Sequence, residues 1–89
     1  MKRYSFLLSK RARKELAKLD KSVQVVIVSW IQKNIKGTSN PRLHGKPLAG
    51  NKKGYWRYRI GNYRIVAEIK DEELVIIAIT IASRSEVYK

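Results

Sequence analysis

Between Tyr55 and Ile69 the chain alternates side-chain character with a period of two and reverses at Gly61-Asn62, in the run YWRYRIGNYRIVAEI. Aromatic and β-branched residues on both sides of a glycine-asparagine pair predict a β-hairpin closed by a two-residue type II′ turn. Such a turn sets Ile60 opposite Tyr63 and Arg59 opposite Arg64. Trp56, Tyr58, Ile60, Tyr63, Ile65, Ala67 and Ile69 then share one face, which is expected to be core. The other face carries Tyr55, Arg57, Arg59, Arg64, Val66 and Glu68. Like charges directly opposite on paired strands are destabilising, and local rules are most often broken where function requires it. The cationic face is therefore expected to hold an anion.

The remaining pattern builds a fold around this hairpin. KRYSFLL at residues 2–8 suits a first strand, after which Ser9 is placed to cap a helix with Ala12, Leu16 and Leu19 on its inner side. Asp20 or Ser22 opens a second helix, in which Val23, Val26, Ile27, Trp30, Ile31 and Ile35 form a stripe that stops at Gly37. The VVIV run favours strand locally, but helical periodicity over the longer window decides for helix. Residues 38–54 hold both prolines and three of the five glycines, so a loop leads into the hairpin. KDEE makes a second turn, and LVIIAITIA is apolar on both faces, the mark of an internal strand. Val75, Ile77, Ile79 and Ile81 should face away from Leu74, Ile76 and Ala78. The expected class is α+β: a small antiparallel four-stranded sheet with two N-terminal helices packed on one face, in the order β-α-α-β-β-β.

Composition narrows the partner. Eighty-nine residues make one domain, spanning 1–89, and its net charge of +13 arises from twenty Lys and Arg against seven Asp and Glu. That field favours a polyanion or an acidic protein. No segment is apolar for the roughly 20 residues that a transmembrane helix needs, and the N-terminal apolar run is too short for a signal peptide, so a cytoplasmic protein with no membrane partner is expected. With no cysteine and the single His44, no transition-metal site and no cofactor is expected. His44, alone in a loop, reads as an ordinary polar contact, and Trp30, Trp56, Tyr58 and Tyr63 read as core by their parity.

The hairpin ending in GNYRIV, the loop GKPLAG before it, the basic first helix and the terminal RSEVY together resemble the RelE/ParE superfamily of bacterial toxins, the RelE branch most closely. The resemblance covers nearly the whole chain. It implies a toxin that enters the ribosomal A site and cuts mRNA there; ParE relatives instead poison DNA gyrase. It implies as partners the ribosome (rRNA) with its mRNA and an acidic cognate antitoxin protein. Carried over by position, Arg64 falls on the hairpin arginine used against the scissile phosphate, Arg57 on a catalytic lysine and Tyr55 on a second lysine. Arg84 lies where a further catalytic arginine is expected, and Tyr88 matches the terminal tyrosine. The general base is left without an assigned residue.

RNA can be cut without metal when the 2′-hydroxyl attacks the neighbouring phosphate, a route closed to DNA. Arginine suits such a site because its planar fork holds phosphate oxygens and stays charged, which also disqualifies it as the base. Lysine and tyrosine exchange protons, though from reference pKa values of about 10 they are poorly matched to neutral pH. Arg64, Arg57, Arg84 and Tyr88 are thus the expected catalytic group, with Lys52, Lys53, Tyr55 and Arg59 on the RNA. Lys10, Arg11, Arg13, Lys14 and Lys18 on the first helix are the expected contact for the ribosome or the antitoxin.

Overall fold

The hairpin forms in the register that its turn dictates. In the computed structural model, which describes residues 2–48 and 54–83, Ile60 faces Tyr63 and Arg59 faces Arg64. Gly61 adopts a φ of 58° while Asn62 keeps a negative φ, the combination of a type II′ turn. The strands are β3 (Tyr55–Ile60) and β4 (Tyr63–Lys70). Tyr58, Ile60, Ile65, Ala67 and Ile69 are buried on one face, with Trp56 and Tyr63 half-buried beside them.

The sheet has five strands in place of the expected four, and one of its pairs is parallel. Its order is β1-β5-β4-β3-β2, where β1 is Ser5–Leu8, β2 is Lys46–Pro47 and β5 is Val75–Ser83. The added strand, β2, pairs antiparallel with β3, and its two residues are too few for any alternation to show in the sequence. β1 runs parallel to β5. Strand direction depends on the path through both helices and the hairpin, which hydrophobic pattern alone does not encode. β5 lies inside the sheet, between β1 and β4, as its apolar faces require.

The last strand departs from simple alternation. Val66 pairs with Thr80 but Ala67 pairs with Ala78, so Ile79 is an extra residue on β5, a bulge. Side-chain parity reverses there. Ile81 therefore joins Ile76 and Ala78 in the core instead of facing away with Val75, Ile77 and Ile79, which are half-buried.

Helix α1 (Lys10–Ala17) starts at Ser9, whose hydroxyl accepts from the Ala12 amide at 3.0 Å and donates to the Ile79 carbonyl at 2.9 Å. The cap thus fixes the helix to the bulge. One turn on, Glu15 Oε1 accepts from Thr80 Oγ1 at 2.7 Å and from the Ile81 amide at 3.1 Å. β5 extends past the end of β1, and this carboxylate satisfies a backbone donor on its otherwise uncovered edge. Helix α2 (Lys21–Asn34) buries Ile27 and Ile31, with Ile35 at its C-cap. Asp20 occupies the N-cap position but forms no side-chain cap bond. Val26 leaves the expected stripe: it is exposed, with Val25 and Val28.

The loop between α2 and β3 is tied down before it reaches the hairpin. Arg42 binds Asp71 through two bonds of 2.9 Å, and Tyr4 Oη donates to the same carboxylate at 2.6 Å. Buried Tyr58 donates to the Pro41 carbonyl at 2.6 Å, and burial pushes its phenol up to about 12. Hydrogen bonds from Arg42 and Tyr4 hold the Asp71 carboxyl down at about 2. A depressed carboxyl pKa contributes stability that is present above the unfolded value of about 4 and is lost as pH falls through the folded value. Asp71→Asn should therefore lower stability at neutral pH by about 1 kcal/mol, the group being half exposed and screened. Urea melts should also show a weaker loss of stability between about pH 4 and pH 2 in the variant than in the parent.

Candidate active site

Three arginines of the hairpin converge with a lysine from the neighbouring edge. Arg57, Arg59 and Arg64, together with Lys46 and Gly45, line a pocket of about 250 Å³. The register explains the convergence. Arg59 lies opposite Arg64 across β3 and β4, and Lys46 lies opposite Arg57 across β2 and β3, so all four side chains leave the sheet on the face away from the core.

Arg64 is the one buried charged side chain among the described residues, with 5 % of its surface exposed. Its Nη1 donates to the Tyr63 carbonyl at 3.3 Å, and among the described residues no carboxylate forms an ion pair with it. Burying a charge is costly unless it is paired, and this cation is buried beside further cations. Among the described residues no carboxylate lines this pocket. Guanidinium groups in a concave site match phosphate, which each can bind through two parallel N–H donors.

Gly45 sets how closely the loop approaches the hairpin. Its φ is 82°, and a Cβ there would fall on the Arg57 carbonyl and the Trp56 indole nitrogen. Only glycine permits both the backbone angle and the contact. Trp56 Nε1 donates to the His44 carbonyl at 2.6 Å, and the His44 ring meets Trp30 edge-on with centroids 5.7 Å apart. His44 thus serves loop packing and does not line the pocket.

The other sequence-predicted residues separate into groups. Tyr55 is half-buried, opposite Glu68, and lies outside the pocket lining. Lys10, Arg11, Arg13, Lys14 and Lys18 are exposed on and just after α1, away from the pocket, and Arg11 Nε lies 3.6 Å from Glu15. Lys52, Lys53, Arg84 and Tyr88 fall outside the described residues. Lys46, one of the loop cations expected to extend the basic surface, is brought to the site by its register with Arg57. Among the described residues no group of three or more His, Cys, Asp or Glu is placed to hold a metal ion. No helix among them is long and apolar enough to cross a membrane.

Residues 6–88 match the family model described as the ParE toxin of the type II toxin–antitoxin system parDE. The chain belongs to this toxin family. Among curated proteins it is 33 % identical over 89 residues to a putative RelE-like toxin of Escherichia coli, with 97 % of this chain and 90 % of the relative covered. It is 26 % identical over 86 residues to toxin RelG of Mycobacterium tuberculosis, with 97 % of each covered. The toxin–antitoxin complex RelBE2 of M. tuberculosis contains a chain that superimposes with a TM-score of 0.82 at 26 % identity, covering 96 % of this chain and 95 % of that one. A double-arginine mutant of E. coli toxin RelE in the free state gives 0.76 at 26 % identity, covering 97 % and 90 %. The protein is accordingly a RelE-like toxin of a type II toxin–antitoxin system, with the α+β fold of its RelE neighbours.

Proposed function

We propose that this toxin is a metal-independent endoribonuclease that cuts mRNA in the ribosomal A site, with residues 1–89 acting as one domain in the cytoplasm. The observation that carries the reading is the buried Arg64 in a pocket whose charged lining, among the described residues, is cationic. Attack of a 2′-hydroxyl on the adjacent phosphate places extra negative charge on the phosphoryl oxygens. Preorganised cations aimed at that charge lower the barrier most when they need not reorganise, and Arg64 is already held in place by its burial. The ribosome would supply in-line positioning of the mRNA, and the toxin mainly electrostatics. Arg57 and Arg59 would share the phosphate with Arg64, Arg84 and Tyr88 would complete the catalytic group, and Lys52, Lys53 and Tyr55 would hold the flanking RNA.

The match to the ParE family model favours a second reading, inhibition of DNA gyrase. Toeprinting on programmed ribosomes separates the two. The expected result is a new mRNA end in the A-site codon. Absence of cleavage together with loss of gyrase supercoiling activity would establish the second reading.

An acidic antitoxin completes the proposal, supported by the charge of +13 and by neighbours whose structures hold RelE with a RelB antitoxin or antitoxin peptide. The surface offered to it is a groove of about 290 Å³ between β1, α1 and α2. Phe6, Leu8, Leu16, Val28 and Ile31 line it, with Arg13 and Lys36 to meet acidic flanks. Co-expression with the acidic protein encoded by the adjacent reading frame should give a complex that survives purification. A Val28→Lys toxin that still co-purified in full yield would remove this groove from the interface.

A further inference from the structure

We propose that Lys46 is the general base of this toxin, taking the proton from the attacking 2′-hydroxyl. The inference rests on the nuclease reading above and assigns the role that reading leaves open. Among the described residues the pocket lining contains three guanidinium groups, one glycine and one amine. Guanidinium stays protonated at any working pH, so Arg57, Arg59 and Arg64 stabilise charge but exchange no proton. Among the described residues Lys46 is the lining group able to do so.

The fold holds the backbone of Lys46 on both sides while leaving its side chain exposed. Upstream, the His44 carbonyl accepts from Trp56 Nε1 at 2.6 Å, and Gly45 lies against the Arg57 carbonyl. Downstream, the Leu48 amide donates to the Tyr55 carbonyl at 3.3 Å. Pro47, which follows, lacks an amide donor and suits the edge strand on which it sits. The register with Arg57 then directs the Lys46 amine to the face where the phosphate is held. Tyr55, Glu68 and Lys70, which share this face of the hairpin and can also exchange a proton, do not line the pocket.

In the step itself the 2′-oxygen forms a bond to phosphorus as its proton passes to neutral Lys46 Nζ, and the bond from phosphorus to the 5′-oxygen breaks. The departing oxygen takes a proton from water, and the lysine ammonium returns its proton to the hydroxide so formed. The products are a 2′,3′-cyclic phosphate and a 5′-hydroxyl, with no oxidant or reductant required.

Lys46→Arg keeps the charge and removes the proton exchange, which makes it the decisive variant. On programmed ribosomes with toxin in excess, single-turnover cleavage should fall about 100-fold or more, within the usual contribution of acid–base catalysis. Ribosome co-sedimentation should be unchanged. The parent rate should rise with pH, and the variant should lose that rise. Because the chain has no cysteine, Lys46→Cys gives a unique thiol for chemical rescue. Alkylation with bromoethylamine, which restores an amine, should restore cleavage, whereas the trimethylammonium analogue, a permanent cation, should not. Lys46→Arg cleaving at the parent rate with the parent pH profile, or equal rescue by both reagents, would overturn the assignment and leave the nuclease reading standing. A parent toxin that cut no mRNA on the ribosome would instead overturn both.

Discussion

Arg64→Ala toxin should cut mRNA on programmed ribosomes about 100- to 1000-fold more slowly than the parent at saturation, the loss found when one transition-state electrostatic donor is removed. Its affinity for the ribosome should change little, because Arg64 is 5 % exposed and offers almost no surface outside the pocket. The same burial predicts an opposite effect on stability. Arg64 is buried with no ion-pair partner among the described residues and faces Arg59 directly across the hairpin. Arg64→Met, which keeps much of the length and none of the charge, should unfold at higher urea concentration, by about 1 kcal/mol, through loss of that desolvation and repulsion. A gain in stability with a loss of activity is the signature of a residue retained for its ligand. Full activity in Arg64→Ala would move the active site off the hairpin face.

What was legible in the sequence was whatever depends on a local period. The hairpin register followed from two alternating runs and a Gly-Asn turn, and it placed three of the pocket cations correctly relative to one another. The Ser9 cap was readable for the same reason, as was the buried face of Tyr58, Ile65 and Ala67. What escaped was set by contacts between distant segments. The bulge at Ile79 moved Ile81 into the core, and an extra residue has no signature in an uninterrupted apolar run. β2 has two residues and owes its existence to Gly45, which admits the loop against β3. Lys46 is brought to the pocket by that approach alone. Glu15 closes the edge of β5 through a contact that helical periodicity does not reveal. The outward turn of Val26 was hidden because a stripe drawn through β-branched residues cannot say how wide a face the sheet covers.

The first helix separates attachment from chemistry. Replacing Lys10, Arg13 and Lys14 together with glutamine should weaken ribosome binding at moderate salt by about tenfold or more and flatten its salt dependence. If each contacts one phosphate, the slope of log affinity against log salt should fall by about 2 to 3. These three are chosen because their charges form no ion pair among the described residues, so the fold should survive their loss. Arg11 is left in place. It pairs with Glu15, the carboxylate that anchors α1 to Thr80 and Ile81, and its removal would mix a structural effect with an electrostatic one. Single-turnover cleavage at saturating toxin should remain near the parent rate, since the pocket is built on β2, β3 and β4 and no α1 residue lines it. Affinity lost at an unchanged saturated rate is the kinetic form of binding that contributes equally to ground and transition states. A triple variant that bound normally but cut slowly would place α1 within the active surface, and the long-range field of the helix would then belong to catalysis.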